Sequence, residues 1–160
     1  MVAEKKNFGQ GTPFLHCLSV NEGFPWRASQ MKDVKILLVD DEVVFTNNMS
    51  KLLSWRGYQV KALNSGDEAI RALMDNSFDV MVLDLKMPGL DGIATMREMK
   101  RLGLFTEVLI LTGHGSIDLA LEALKMGAYD YVTKPCEITE LVSKIEIGCE
   151  GKRIKDRKGS

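Results

Sequence analysis

The feature that most constrains the fold is an alternation of short apolar runs with helix-length segments, which begins at Val34. The spacing of apolar residues between the runs is helical, as at Phe45, Met49 and Leu53. Nearly continuous apolar strands alternating with amphipathic helices are typical of a parallel sheet covered on both faces. The sequence therefore predicts an α/β protein with five β-α repeats, whose strands lie at 34–39, 59–63, 79–83, 107–111 and 129–133.

Local signals predict where several helices begin and end. The stretch SGDE at 65–68 has the form of a capping box, which predicts a helix N-terminus at Ser65. Asp91 is a predicted cap for the next helix. Gly57, Gly103 and Gly127 each follow a helical segment, where a residue with left-handed backbone conformation is favoured.

The two ends of the chain differ from this repeating part. Residues 1–31 show no persistent period and are predicted to form a poorly ordered N-terminal extension. Residues 32–150 are predicted to form the folded domain. Residues 151–160 are rich in Lys and Arg and lose the apolar period, so we expect a basic C-terminal tail, which is either the fraying, solvated end of the last helix or a truncated linker.

Composition excludes several classes of function. A formal net charge of −1 gives no bulk attraction to nucleic acid, so we expect no direct nucleic-acid binding by this domain. Three irregularly spaced cysteines form neither a disulfide framework nor a metal-binding pattern. No apolar run is long enough to span a bilayer, and the N-terminus lacks the apolar stretch of a signal peptide. We therefore expect a cytoplasmic protein without a membrane partner.

Polar side chains follow four of the five predicted strands, and ligands of an open parallel sheet bind at the carboxyl ends of its strands. Taken singly, each has an ordinary structural interpretation, because acidic residues cap helices and aspartate is common in turns. Together they would meet at one edge of the sheet. The residues are Asp40 and Asp41 after strand 1, Asp84 after strand 3, Thr112 after strand 4 and Lys134 after strand 5, while strand 2 ends in the less distinctive Asn64.

This set of side chains has a chemical logic. Three clustered carboxylates repel one another, and a hard divalent cation such as Mg²⁺ compensates their charge. An ionised aspartate beside such a cation can attack phosphorus as a nucleophile without a general base. Transfer of a phosphoryl group then depends mainly on positioning and on neutralising its oxygens, for which a lysine and a hydroxyl are suited.

Four motifs in this order and spacing resemble a known family. They are LLVDDE (37–42), DVMVLDLKMPGLDG (79–92), LILTGHG (109–115) and DYVTKP (130–135). From about Val34 to Cys149 the chain resembles the receiver domain of bacterial two-component response regulators. The resemblance implies a flavodoxin-like, doubly wound (βα)5 fold with strand order 2-1-3-4-5.

The resemblance also implies roles for individual residues around a metal. Asp84 aligns with the phosphoacceptor aspartate. Asp40 and Asp41 align with the acidic pair that binds Mg²⁺, with Asp41 as the direct ligand and Asp40 acting mainly through water. Lys86 would offer its backbone carbonyl to the same ion.

Three further positions match the residues that respond to the phosphoryl group in this family. Thr112 aligns with the switch hydroxyl that turns towards it, and Lys134 with the lysine that forms an ion pair with it. Tyr131 matches the aromatic residue that changes rotamer on activation. The bond between Lys134 and Pro135 is often cis in the family.

The function expected from the resemblance is a phosphorylation-driven switch. A sensor histidine kinase or a phosphotransfer protein supplies the phosphoryl group, and Asp84 receives it in a Mg²⁺-dependent step. The change then spreads to the face formed by helix 4, strand 5 and helix 5, which binds partners and is a candidate homodimer surface. Such a domain catalyses only its own phosphorylation and dephosphorylation and is not an enzyme acting on other substrates.

Other interpretations remain open at this point. The chain is also compatible with a receiver fragment of a longer transcriptional regulator carrying an ATPase or DNA-binding output, with a stand-alone receiver, or with a pseudo-receiver that binds partners without phosphate. An aspartate-dependent Mg²⁺ phosphohydrolase would need a second aspartate two residues after its nucleophile. Lys86 occupies that position, which argues against this class.

Overall fold

The computed structural model describes residues 33–159, so the predictions for residues 1–31 lie outside the described residues. Five strands form one sheet, and each matches a predicted apolar run to within one residue at either end. Their bounds are β1 Lys35–Val39, β2 Gln59–Leu63, β3 Val80–Asp84, β4 Glu107–Thr112 and β5 Asp130–Thr133.

All neighbouring strands run parallel, in the order β2-β1-β3-β4-β5. The predicted fold class and strand order are therefore confirmed. Every residue of β3 and β4 is buried, which explains their nearly continuous apolar sequences. The register places Asp84 at the end of β3 beside Leu111 of β4, so the carboxyl ends of the central strands lie together.

Five helices connect the strands and follow them. Ser65 caps α2 by accepting a hydrogen bond from the backbone N–H of Glu68, and Asp91 caps α3 by accepting one from Ala94, as predicted. Gly127 ends α4 with a φ of 119°, also as predicted. The helix bounds are α1 Val43–Trp55, α2 Gly66–Asp75, α3 Gly92–Arg101, α4 Ile117–Met126 and α5 Ile138–Lys158.

The helices cover both faces of the sheet. Helices α2, α3 and α4 pack side by side, and their buried residues form one core with Leu37, Met81 and Ile110 of the sheet. Helices α1 and α5 contact each other, and α5 also packs on β3, β4 and β5. Successive strand residues point to opposite faces, so one sheet supplies two apolar layers. Among residues 33–159, no helix combines the length and apolar character that crossing a membrane requires.

Residues 151–158 belong to helix α5, which confirms the helix-end alternative for the basic tail. The Lys152 ammonium donates hydrogen bonds to the Phe78 carbonyl at 3.1 Å and to an Asp79 carboxylate oxygen at 3.2 Å. Lys155 pairs with the buried Glu107 at the start of β4. These contacts hold the basic end of α5 against the amino ends of the strands, although its sequence has no apolar period.

Candidate functional site

Three carboxylates meet at the carboxyl edge of the sheet. Asp40 directly follows β1, Asp84 ends the neighbouring strand β3, and one oxygen from each of Asp40, Asp41 and Asp84 lies within 4.8 Å of the others. Asp40 is completely buried, and Asp84 is only 6% exposed. The structure thus brings together three acidic side chains that come from segments 43 residues apart, because β1 and β3 are adjacent in the sheet.

Lys134 reaches this cluster from the end of β5. Its ammonium contacts the Asp40 carboxylate, lies 3.2 Å from a Glu42 oxygen and lies 4.0 Å from the nearest Asp84 oxygen. The same ammonium lies 4.5 Å from the ring centroid of Phe45, a distance at which a cation is attracted to an aromatic face. The peptide bond from Lys134 to Pro135 is cis, as expected.

Burial and mutual repulsion dominate the electrostatics of the cluster. Burial, followed by the charge of Asp40, raises the pKa of Asp84 to about 7, although Lys134 and a hydrogen bond from the Lys86 backbone oppose the rise. Burial also raises the pKa of Asp40, against the hydrogen bond from Lys134. Burial lowers the pKa of Lys134, but its bond to Asp40 and the charge of Asp84 outweigh this, so its pKa is raised overall.

The donor set fits a hard cation. Three carboxylates face one ammonium, which leaves an excess of negative charge that a divalent ion would balance. Carboxylate oxygens are the ligands that Mg²⁺ prefers, and those of the three aspartates lie within 4.8 Å of one another. The acidic group found among the described residues contains only aspartates, which suits Mg²⁺ better than zinc. Asp40, Asp41 and Asp84 are therefore the residues that would hold the ion.

Thr112 follows Leu111, the residue of β4 that pairs with Asp84, and Lys86 lies two residues after Asp84 in the chain. Thr112 is fully buried at the end of β4, and its hydroxyl donates a hydrogen bond to the Gly113 carbonyl at 3.4 Å. The backbone N–H of Lys134 donates to the Thr112 carbonyl at 2.7 Å, which places the two predicted phosphate-binding residues side by side. The Lys86 side chain is exposed, and its backbone N–H bonds to the Asp84 carboxylate. The role of its carbonyl as a metal ligand stays a prediction.

Tyr131 lies outside the carboxylate cluster. It is half-buried in β5, where its backbone pairs with Ile110, and its ring packs against the core. The Lys144 ammonium of α5 donates to the Tyr131 carbonyl at 2.9 Å and lies 5.8 Å from the centre of its ring. A change of rotamer at Tyr131 stays a prediction.

A glycine allows helix α3 to begin very close to the site. A Cβ atom at Gly92 would lie 2.5 Å from the Asp84 carbonyl oxygen and 2.7 Å from the Leu85 Cα. The Gly92 N–H donates to the Leu85 carbonyl at 3.0 Å. Only glycine fits this approach of backbone to backbone, which turns the chain away directly after Asp84.

Three residues at the site were not assigned a role from the sequence. Glu42 and Phe45 contact Lys134 as described, and Asn64 after β2 donates hydrogen bonds to the Asp40 carbonyl at 2.8 Å and to the Thr46 hydroxyl at 3.1 Å. The acidic character of Glu42, directly after the aspartate pair, was an available signal. Neither the phenylalanine nor the asparagine carries a local signal for its contact.

An open parallel sheet with acidic residues and a lysine at the carboxyl edge of its strands defines a doubly wound α/β domain, and ligands of such sheets generally bind at this edge. The sequence model of the response regulator receiver domain matches residues 36–146. The chain belongs to this family, and it is a receiver domain of the kind found in two-component response regulators.

Individual relatives agree with this assignment. The chain is 39% identical over 114 residues to the transcriptional regulatory protein ZraR of Escherichia coli K12, an alignment that covers 71% of this chain and 26% of ZraR. It is 38% identical over 111 residues to the transcriptional regulatory protein FixJ of Bradyrhizobium diazoefficiens, covering 69% of this chain and 54% of FixJ. It therefore spans about a quarter of ZraR and about half of FixJ.

A solved structure shows the same architecture. The crystal structure of a response regulator receiver domain protein from Clostridium thermocellum superimposes with a TM-score of 0.71 at 37% identity. The match covers 76% of this chain and 98% of that one.

Proposed function

We propose that Asp84 accepts a phosphoryl group from a histidine of a sensor kinase or phosphotransfer protein, in a reaction that requires Mg²⁺. The observation that carries this proposal is the meeting of Asp40, Asp41, Asp84 and Lys134 at one edge of the sheet. This arrangement supplies a nucleophile, ligands for a cation, and a second positive charge within 4.0 Å of the nucleophile.

The transfer of the phosphoryl group needs no reactant beyond the partner's phosphorylated histidine and Asp84. An ionised Asp84 oxygen forms a bond to phosphorus while the bond from phosphorus to the partner's histidine nitrogen breaks. The electron pair stays on that nitrogen, and the imidazole is released in a neutral form because its other ring nitrogen carries a proton. The three aspartates and the Lys86 carbonyl would hold Mg²⁺, whose positive charge would offset the negative charge of the transferred group. Lys134 and Thr112 hold the remaining oxygens.

The acyl phosphate then acts as a switch. Phosphorylation replaces one carboxylate charge by a group of about −1.5 to −2 charges, which competes with Asp40 for Lys134. Thr112 turns towards the phosphoryl group, and Tyr131 follows. The face formed by α4, β5 and α5 changes, and it presents partly exposed Ile117 and Leu121 to a partner or to a second copy.

This function makes the chain a signalling domain and not an enzyme for external substrates. Its own phosphorylation and dephosphorylation are the reactions it would catalyse. A cytoplasmic location follows as part of the same proposal, since the phosphoryl donor is a kinase domain of a two-component system.

Intact-mass measurement tests the proposal. The full chain is incubated with acetyl phosphate and Mg²⁺, in parallel with Asp84→Asn and with Asp91→Asn as a matched control at an exposed helix cap. We expect a phosphate-sized adduct on the wild type and on Asp91→Asn, and none on Asp84→Asn or after removal of Mg²⁺. The absence of an adduct on the wild type, with acetyl phosphate and with a panel of kinases, would indicate a phosphate-independent pseudo-receiver.

A second proposal concerns the output. ZraR and FixJ are named as transcriptional regulatory proteins, and the chain covers only part of each. We propose on this ground that the receiver controls a transcriptional output domain. The genomic reading frame that contains this chain tests the idea, and a frame without an output domain would favour a stand-alone receiver.

A further inference from the structure

The side-chain amide of Asn64, directly after β2, uses both of its hydrogens at the edge of the site. It donates one hydrogen bond to the Asp40 carbonyl at 2.8 Å and another to the Thr46 hydroxyl at 3.1 Å. Thr46 is only 1% exposed, and its hydroxyl donates in turn to the Val43 carbonyl at 3.0 Å. One amide thus links the end of β2, the end of β1 and the first turn of α1.

This link fixes the backbone of the acidic pair. The Asp40 carbonyl belongs to the peptide group that joins Asp40 to Asp41, so the hydrogen bond from Asn64 sets the orientation of that plane. On the other side, the Asp40 N–H donates to the Leu63 carbonyl at 3.1 Å. Both peptide groups that flank Asp40 are therefore held by consecutive residues at the end of β2.

We propose that Asn64 is a positioning residue for magnesium binding, which holds the Asp40–Asp41 peptide so that both carboxylates face Asp84. The inference rests on the proposed function. Mg²⁺ requires near-octahedral geometry at short bond lengths, so it gains from ligands whose backbone is already fixed. Groups that orient metal ligands typically contribute about 10- to 100-fold to metal affinity.

Thr46 distinguishes this role from simple packing. If the Asn64 amide acts through the hydrogen bond to Thr46, the affinity for Mg²⁺ depends on the Thr46 hydroxyl and not on its methyl group. Thr46→Val keeps the shape and removes the hydroxyl, whereas Thr46→Ser keeps the hydroxyl and removes the methyl group. If this buried residue acted only by packing, Thr46→Ser would bind Mg²⁺ more weakly than Thr46→Val, because the smaller serine leaves a cavity.

Isothermal titration of MgCl₂ into the full-length chain tests the proposal without requiring phosphorylation. We expect Asn64→Ala to bind Mg²⁺ about tenfold more weakly than the wild type. Thr46→Val should show a smaller loss in the same direction, and Thr46→Ser should bind like the wild type. Asn48→Ala, at an exposed position of α1, is the matched control and should leave the affinity unchanged.

The outcomes separate this inference from the proposed function. Equal Mg²⁺ affinity of wild type and Asn64→Ala, or stronger binding by Thr46→Val than by Thr46→Ser, would overturn the role of Asn64 alone. A wild type that binds no Mg²⁺ would overturn the proposed function and this inference with it. If Asn64→Ala does not fold, the comparison of the two Thr46 variants decides the question.

Discussion

The Lys134 ammonium contacts the carboxylate of Asp40, while its distance to the nearest oxygen of Asp84 is 4.0 Å. Asp40 has no exposed surface, so the lysine compensates a charge that water cannot reach. The same ammonium lies farther from Asp84, and burial raises the pKa of Asp84 to about 7. The single ammonium of Lys134 therefore compensates Asp40 more fully than Asp84, although both acids are buried.

Removal of Lys134 should destabilise the metal-free protein and make its stability depend on Mg²⁺. In Lys134→Ala, Asp40 must protonate or remain charged without a partner, which costs about 3 kcal/mol of unfolding free energy. Mg²⁺ should restore part of the loss, because it supplies the missing positive charge. Urea unfolding with and without Mg²⁺ measures both effects. Lys51→Ala on the exposed side of α1 is the control, and equal stability of the two variants would contradict this prediction.

The ionisation of Asp84 should make the metal-free protein less stable as the pH rises. The pKa of Asp84 is about 7 in the folded state against 3.8 ordinarily, so the folded state holds the proton more tightly. The resulting stabilisation is complete below pH about 4 and is lost as the pH rises to about 7. Asp84→Asn cannot ionise, so at pH 8 it should exceed the wild type by on the order of 2 kcal/mol.

Urea unfolding in the presence of EDTA at pH 4.5 and at pH 8 measures this difference. The advantage of Asp84→Asn should be small at the lower pH and large at the higher one. A variant whose advantage is the same at both values, or which is less stable at pH 8, would show that Asp84 does not titrate as described.

Two glycines of α5 should respond to alanine in opposite directions. A Cβ atom at Gly148 would lie 2.5 to 2.7 Å from the Tyr129 hydroxyl and ring, whereas nothing lies within 4 Å of one at Gly151. Gly148→Ala displaces a ring whose hydroxyl bonds to the Lys144 carbonyl, and should cost about 2 kcal/mol. Gly151→Ala should stabilise by up to about 1 kcal/mol through helix propensity. Thermal unfolding of both variants checks the signs, and two changes of the same sign would contradict the packing described.

The ion pair of Lys155 with Glu107 should contribute to holding the last turns of α5. Glu107 is buried while the Lys155 side chain is 71% exposed, so solvent weakens the pair and we expect Lys155→Ala to cost about 1 kcal/mol. Glu107→Gln in the Lys155→Ala background should recover much of this loss, because no buried charge is left unpaired. A double-mutant cycle by urea unfolding measures the coupling, with Lys158→Ala as the control, and a coupling energy of zero would contradict the prediction.

The strands were predictable because a buried parallel strand has a nearly continuous apolar sequence. Val80–Asp84 illustrates both the strength and the limit of this signal. The apolar run indicates the strand, but its last residue is a charged side chain whose backbone still pairs with Leu111. A strand predicted from side-chain polarity alone therefore ends one residue too early, at residue 83 instead of Asp84.

The charged members of the site were predictable because three acids and a lysine directly follow or end predicted strands, and the topology of a parallel sheet brings those strand ends together. Asn64 was not, because asparagine after a strand is an ordinary turn residue. Its contact with Asp40 spans 24 residues and depends on the pairing of β1 with β2. The end of α5 stayed open for a similar reason, because its basic residues were compatible with a helix end and with a linker. Its anchors, Lys152 and Lys155, bind residues 73 and 48 positions away.

The central claim is that Asp84 carries the phosphoryl group, and borohydride trapping tests it most directly. Borohydride reduces an aspartyl phosphate to homoserine, and peptide mass spectrometry locates the converted residue. After treatment with acetyl phosphate and Mg²⁺, we predict homoserine at position 84 and at no other aspartate, with no conversion when EDTA replaces Mg²⁺. Conversion at a different aspartate, or a phosphorylated chain in which Asp84 remains unchanged, would contradict the account.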